Sequence, residues 1–398
     1  MAFRKRSVRD ADVRRKKVLV RVDLNVPLKD GAVADDTRVR ASLPTIALLR
    51  ERGAAVALCS HLGRPKGRDA KASLMPVAAH LSELLGAPVL LAPDCVGPDV
   101  AERVAALSPG GVLLLENVRF HPEEEKNDPA FAAELAAPFD LYVNDAFGAA
   151  HRAHASTEGV ARLLPAYAGL LLERELVALG GLLERPERPF LAIIGGAKVS
   201  SKIGVLRALV ERADAIAIGG GMANTFLAAT GRGIGRSLSE PDREGGAREI
   251  LAAAARRGTR VLLPADVVTA TSLDAAGEAS AEVRDVAEVP ADRAIVDVGP
   301  RTLDEYATAI ADARTIFWNG PLGVFEVSGF AEGTQRVARL LAESGAATVV
   351  GGGESVQAVQ ELGLAERMTH VSTGGGAALE LIEGKTLPGV AAIPDGKE

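Results

Sequence analysis

Short apolar runs alternate with helix-period segments along the whole chain, and this alternation restricts the fold to sheets with helices packed on them. In the first half the runs are VLVRVDLN (18–25), AAVALCSHL (54–62), PVLLAP (88–93), GVLLLEN (111–117) and FDLYVND (139–145). Between them Val39, Leu43, Ile46 and Leu49 recur at helical spacing and stop at Gly53. Leu74, Val77, Leu81 and Leu84 do the same after Ser73 and stop at Gly86. Strand, helix, strand in this order predicts a mostly parallel sheet covered by helices on both faces. The second half repeats the style with FLAIIGG (190–196), AIAIGGG (215–221), TRVLLPAD (259–266), TIFWNG (315–320), ATVVGGG (347–353) and THVST (369–373). Helical segments are expected at Lys202 to Arg212, Gln335 to Glu343 and Ala377 to Glu383. With 398 residues and no internal repeat, the reading is two α/β domains. A helix over Leu170 to Leu183, ending in the turn-prone RPERP (185–189), sets the boundary near residues 170–188.

Composition removes several classes of function. No apolar run approaches the roughly 20 residues of a membrane helix, and the N-terminus lacks a signal-peptide core, so the expectation is a cytoplasmic protein. The two cysteines, Cys59 and Cys95, supply neither a disulfide framework nor a four-ligand zinc site, and they read as small core hydrophobes. A net charge of −6 argues against general nucleic-acid affinity, although it leaves room for a local basic patch.

Ligands of open parallel sheets bind beyond the carboxyl ends of the strands, so the residues that follow each run matter most. In the first half these are Asp23 and Asn25, His61 and Arg64, Asn117 and Arg119, and Asn144, Asp145, His151 and Arg152. Arg38 opens the helix after the first strand. Guanidinium groups grip phosphate and carboxylate bidentately, so Arg38, Arg64, Arg119 and Arg152 at equivalent topological positions point to a small, highly anionic ligand. Asp23 and Asn25 also fit as turn formers before Pro27, and His61 as a satisfied loop histidine.

The second half runs its strands into glycine instead. It holds 31 of the 42 glycines after residue 170, at Gly195–Gly196, Gly219–Gly221, Gly320, Gly351–Gly353 and Gly374–Gly376 among others. Backbone amides at such strand-to-helix turns cradle phosphates, aided by the positive end of the next helix. Neither a P-loop string nor a dinucleotide fingerprint occurs, and Gly231, Gly233 and Gly235 read as a loop. Lys198 and Lys202, four residues apart, would share a face of a helix starting near Lys198 and neutralise a polyphosphate. Glu326 and Glu354 are placed to touch a ribose hydroxyl or a phosphate-bound magnesium ion, or in the case of Glu354 to serve the dipole of its helix.

The chain closely resembles the phosphoglycerate kinase family. The matching strings are RVDLNVP (21–27), SHLGRPKG (60–67), LLENVRFHPEEEKND (114–128), NDAFGAAHRAHAST (144–157), GGAKVSSKI (195–203), GGGMANTFLAATG (219–231), NGPLGVFE (319–326) and STGGGAALELIEGKTLPG (372–389). The resemblance implies two Rossmann-like domains joined by a linking helix and a hinged cleft. Residues 1–170 would bind 3-phosphoglycerate, 171–188 would link, 189–375 would bind nucleotide, and 376–398 would return to the first domain.

It further implies reversible phosphoryl transfer between 1,3-bisphosphoglycerate and MgADP, giving 3-phosphoglycerate and MgATP. The glycerate would be held by Arg21, Asp23, Asn25, Arg38, His61, Arg64, Arg119 and Arg152. The nucleotide would be held by Gly196, Ala197, Lys202, Gly220, Asn319, Pro321, Glu326, Gly352, Gly353, Glu354 and Ser355. Arg38, Lys198, Lys202 and the turn Gly374, Gly375 and Gly376 would meet the transferring group. A monomer, with neither nucleic acid nor membrane as partner, goes with this reading. Glu354 stands where the family has Asp, a residue linked there to the metal; the extra methylene leads us to expect that Mg2+ dependence survives with altered affinity. Leu24 replaces the commoner Phe and changes only an apolar side chain. A non-catalytic nucleotide- or anion-binding paralogue is the alternative.

Overall fold

The Lys17–Val22 strand has five of its six residues buried and parallel partners on both sides, Ala55–Cys59 on one and Leu141–Asp145 on the other. Strands buried on both faces must be apolar throughout, which is why these runs lack the polar alternation of a half-exposed sheet. In the computed structural model, which describes residues 4–396, this strand lies inside a six-stranded parallel sheet. The spatial order is Val89–Leu91, Val112–Leu114, Ala55–Cys59, Lys17–Val22, Leu141–Asp145 and Ala166–Ala168. Chain order reverses between Lys17–Val22 and Leu141–Asp145, and the loops there diverge to opposite faces, leaving a crevice at the carboxyl edge. The helix Met75–Leu85 ends on Gly86 in the left-handed conformation, as its glycine stop predicts.

A second six-stranded parallel sheet has the order Arg260–Leu262, Ala215–Ile218, Phe190–Ile194, Thr315–Asn319, Ala347–Gly351 and His370–Val371. Its reversal falls between Phe190–Ile194 and Thr315–Asn319. Trp318, Phe317, Ile193 and Ile316 are fully buried there. Each sheet belongs to its own compact unit, one made of the chain up to Gly180 together with Thr386 onward, the other of Gly181–Lys385. The first three and last two residues, at the outer ends of the first and last segments read from the sequence, lie outside the described residues.

The linking helix spans Leu170–Glu184. Its start is fixed by the last residue of a central strand: Asp145 Oδ1 accepts from the backbone N–H groups of Leu171 at 2.8 Å and Leu172 at 3.3 Å. That carboxylate satisfies two of the donors a helix N-terminus leaves open.

One piece of the second unit escapes the reading by periodicity. Asp266–Ala270 pairs antiparallel with both Glu282–Asp285 and Ala294–Val298, forming a separate three-stranded sheet. Asp266–Ala270 and Ala294–Val298 are mostly buried, but each strand mixes polar residues such as Thr269, Arg284 and Asp297 with its apolar ones, so no long apolar run announces the sheet.

Candidate active site

In the first unit, the carboxyl edge of the sheet collects the basic residues singled out above. Arg21 is buried near the end of the central strand, and three groups fix it. Its Nε donates to Ser156 Oγ at 2.8 Å, its Nη2 to His61 Nδ1 at 3.0 Å, and its Nη1 to the Val22 carbonyl. Ser156 in turn donates to Glu124 Oε1 at 2.6 Å and gives Glu124 Oε2 its backbone N–H at 2.8 Å. The buried cation is therefore linked through a hydroxyl to a buried carboxylate, with burial raising the Glu124 pKa against the pull of Arg21.

His61 accepts from a group that only donates, which leaves its proton on Nε2. Burial, and then the charges of Arg21, Arg119, Arg38 and Arg152, drive its pKa well below the ordinary imidazole value. Burial, and then the charges of Arg119, Arg21 and Arg152 against the pull of Glu125, bring His154 down to about 4. A neutral Nε2–H beside several guanidinium groups is a donor without the repulsion of another charge.

Asp23 and Asn25 shape the front of this cluster. Arg38 Nη1 donates to the Asn25 carbonyl at 3.0 Å and lies 3.4 Å from Asp23 Oδ2. Asn25 Oδ1 accepts from the Gly63 N–H at 2.8 Å, and Arg119 Nη1 donates to the Gly63 carbonyl at 2.6 Å. The loop after the second strand is thus pinned from both sides. Arg119 also pairs with Glu125 at 3.3 Å, while Arg152, half-buried, donates to the neighbouring His151 ring at 3.2 Å. Arg64 is exposed on the pinned loop. The turn-former reading of Asp23 and Asn25 holds as well, since Asp23 Oδ1 accepts from the Asn25 N–H at 3.3 Å.

In the second unit the strand ends pack backbone on backbone. Gly320 has φ +97°, and a Cβ there would stand 2.3 Å from the Gly195 carbonyl oxygen and 2.4 Å from Lys202 Nζ, so only glycine fits. Gly220, at φ +67°, would place a Cβ 2.7 Å from the Gly196 nitrogen. Lys202 Nζ donates to the carbonyls of Gly195 at 2.7 Å and Asn319 at 3.0 Å, spanning the two strands at which chain order reverses. An ammonium has three donors, so one remains for a ligand. Burial lowers its pKa to about 8, and Glu354 opposes the shift. Ser355 Oγ accepts from the Gly320 N–H at 2.5 Å, and the Nδ2 amide of Asn319 is buried without a partner beside Gly352.

Beside these turns lies a cleft of about 200 Å³. Gly196, Ala197, Gly220, Pro321, Glu326 and Glu354 line it, all expected from the sequence. So do Gly221, from the expected Gly219–Gly221 turn, and Leu238, Leu273, Val296, Asp297 and Val324, which were not expected. Part of this wall, Val296 and Asp297, comes from the antiparallel sheet and was missed with it, while Leu238, Leu273 and Val324 come from loops. The β-branched run Val267, Val268 and Thr269 was a signal for that sheet.

Lys198 and Lys202 do not share a helix face. The helix begins at Ile203 with Lys202 as its cap, because the chain turns through Ser200–Lys202 and the lysine reaches back to the strand ends. Lys198 is exposed. Gly374 donates its N–H to Ser372 Oγ at 3.1 Å, and Gly375, at φ +47°, caps the Gly376–Ile382 helix. Glu354 is exposed in the first turn of the Gly353–Glu361 helix, where a carboxylate also suits the dipole.

Among the described residues, the one group of three clustered metal-ligand types is Asp94, Cys95 and His121 in the first unit. Its members are engaged with each other and with a cation: His121 Nε2 meets Asp94 Oδ1 at 2.7 Å, and Arg68 pairs with Asp94 at 3.3 Å. Cys59 and Cys95 are both buried free thiols, as core residues should be. No described helix is long and apolar enough to cross a membrane.

A family model described as phosphoglycerate kinase matches residues 8–385. The phosphoglycerate kinase of Rubrobacter xylanophilus is 58% identical over 99% of this chain and 99% of its own length. That of Chloroflexus aurantiacus is 55% identical over 98% of this chain and 99% of its own. Among solved structures, the phosphoglycerate kinase of Coxiella burnetii superposes with a TM-score of 0.89 at 40% identity, covering 98% of each chain.

Proposed function

The chain belongs to the phosphoglycerate kinase family, and on that premise we propose how its two anion-binding arrangements divide one reaction. It is a kinase that transfers a phosphoryl group reversibly between the acyl phosphate of 1,3-bisphosphoglycerate and ADP, giving 3-phosphoglycerate and ATP. The basic cluster takes the glycerate, through Arg21, Asp23, Asn25, Arg38, His61, Arg64, Arg119 and Arg152. The glycine-lined cleft takes the nucleotide, with its apolar wall against the base and Gly196, Ala197, Lys202, Gly220, Asn319, Pro321, Glu326 and Gly352–Ser355 around the sugar and phosphates.

The observation that carries this division is Lys202. Its ammonium is held by two strand-end carbonyls at a chain reversal with one donor left over. Direct in-line transfer needs no covalent enzyme intermediate; the protein contributes alignment and a positive field over the oxygens of the transferred group. Lys202 and Lys198 supply that field from the nucleotide side, with the amides of Gly374–Gly376, and Arg38 supplies it from the glycerate side. Hinge motion about the Leu170–Glu184 helix brings the two sets together and excludes water from the acyl phosphate. The protein acts as a cytoplasmic monomer.

Magnesium fits this donor set as a companion of the nucleotide. Glu354 is an exposed hard oxygen donor at the cleft, and Mg2+ is commonly held by one or two carboxylates together with substrate phosphates. When bound it neutralises phosphate charge; Glu354 is the residue to hold it. The alternative of a non-catalytic paralogue has no support in the residues, since every basic group of the expected set is present.

The deciding experiment is a coupled assay with MgATP and 3-phosphoglycerate, run beside 2-phosphoglycerate and glycerate. Turnover confined to 3-phosphoglycerate is expected, and an absence of turnover on all three rejects the assignment.

A further inference from the structure

Three carboxylates line the nucleotide cleft, and Asp297 alone among them is buried, at 2% exposure. It stands near the end of the Ala294–Val298 strand, where both of its oxygens are committed to backbone donors. Oδ1 accepts from the Val298 N–H and Oδ2 from the Gly333 N–H, each at 2.8 Å. Gly333 lies in the first turn of the Glu332–Glu343 helix, whose own cap residue, Ala331, has no side chain able to accept a hydrogen bond. Asp297 therefore supplies from a neighbouring strand the cap that the helix lacks.

The same carboxylate is wedged against the loop that follows the Thr315–Asn319 strand. A Cβ at Gly323 would stand 2.4 Å from Asp297 Oδ1, and one at Gly333 would stand 2.3 Å from it, so two glycines let the backbone close around this one group. A second tie reinforces it. Thr334 Oγ1, from the next residue of the helix, accepts from the Leu322 N–H at 3.0 Å, and Val324 N–H donates to the Val296 carbonyl at 2.8 Å. Strand, loop and helix are locked at one point. The loop carries Pro321, Gly323, Val324 and Glu326 into the cleft.

We propose that Asp297 is a positioning residue for the nucleotide, fixing the Gly320–Glu326 loop against the helix start so that the cleft keeps the width a nucleoside diphosphate needs. This rests on the reading that the cleft is the nucleotide site. Asp297 holds the wall and takes no part in transfer, so its loss acts on nucleotide affinity and leaves the glycerate side and the chemical step alone.

The test measures MgADP binding to the whole chain by calorimetry, together with KM for each substrate and kcat. Asp297→Ala is expected to weaken MgADP about tenfold, with KM for 1,3-bisphosphoglycerate and kcat each within about twofold of the parent. Thr334→Val cuts the second tie without touching a charge and is expected to shift the same quantity in the same direction, more weakly. It also carries the test if Asp297→Ala does not fold. Leu238→Glu, in the cleft wall away from this lock, serves as the control for the site itself. If Leu238→Glu leaves MgADP affinity unchanged, the cleft reading fails and the proposal falls with it. If Leu238→Glu weakens binding while folded Asp297→Ala and Thr334→Val do not, the positioning role alone is overturned. A fall in kcat, or equal rises in both KM values, also overturns it.

Discussion

Arg21 Nη2 lies 3.0 Å from His61 Nδ1, and burial, reinforced by that guanidinium, holds the imidazole in its neutral form at the edge of the first sheet. The folded chain disfavours protonating this ring. Its contribution to stability is therefore complete above the ordinary imidazole pKa of about 6.5 and is lost as pH falls below it. The His61 ring proton resonance should stay flat between pH 6 and 8 in the folded protein. A titration step in that window would contradict the neutral assignment.

Lys202 has the opposite chemistry and the same direction of shift. Its pKa is lowered to about 8 by burial, so in the free protein the ammonium is lost as pH rises through that value. Between about 8 and the ordinary lysine value the unfolded chain binds more protons, and folding stability rises with pH there. Polyphosphate binding favours the charged form, so MgADP affinity should decline above pH 8, by up to about tenfold per unit. Calorimetry between pH 7 and 9.5 checks this, and Lys202→Met should remove the dependence along with most of the affinity.

Arg38 reaches the cluster front through the Asn25 carbonyl and Asp23. A group that acts on charge developing in the transition state lowers kcat when removed, while KM changes little. Arg38→Ala is expected to cut kcat by roughly a hundredfold or more in the coupled assay, the scale of losing one charge-stabilising donor. Unchanged turnover would remove Arg38 from the mechanism.

Glu354 invites the reverse substitution. Shortening it to Asp changes the reach of the one carboxylate assigned to the metal, so Glu354→Asp should alter the apparent Mg2+ affinity at fixed ADP. Superimposable Mg2+ titrations of the two proteins would show that the residue does not meet the ion.

Gly320→Ala tests the backbone packing of the second unit. The methyl would collide with the Gly195 carbonyl and Lys202 Nζ from a φ of +97°, and a residue forced into such a conformation costs on the order of 1–3 kcal/mol before the clash is counted. Urea denaturation should register at least that loss. Stability equal to the parent would mean the strand ends can separate freely.

The two parallel sheets were legible because each buried strand writes itself as an apolar run, and the linking helix because a proline-rich turn follows it. Strand ends then located His61, Arg119, Lys202 and the glycine turns without any contact being known, whereas Arg21, inside the first strand, came only with the resemblance. What the chain did not announce is of two kinds. The Asp266–Ala270, Glu282–Asp285 and Ala294–Val298 sheet interrupts its apolar residues with polar ones such as Thr269, Arg284 and Asp297, and its apolar contribution to the cleft stayed hidden with it. Partnerships such as Ser156 with Arg21, 135 positions away, and with Glu124, 32 positions away, join separate segments, and local spacing carries no trace of them. The helix start at Ile203 rather than near Lys198 belongs to the same class, since strand-end carbonyls from two different segments draw Lys202 out of a helical first turn.

The first unit is closed by residues from Thr386 onward, where the Gly389 carbonyl accepts from Asn144 Nδ2 at 3.1 Å and Lys5 pairs with Asp395 at 2.8 Å. On the ribosome these pieces emerge last, after all of Gly181–Lys385, so the second unit is the one whose chain is complete first although it is encoded second. Domains ordinarily fold from the N-terminus as they emerge. Here the earlier-made unit must wait, with the Asn144 edge of its central sheet uncapped, until the segment from Thr386 onward has emerged, and a chain stopped near Lys385 would carry a finished second unit beside an unfinished first one.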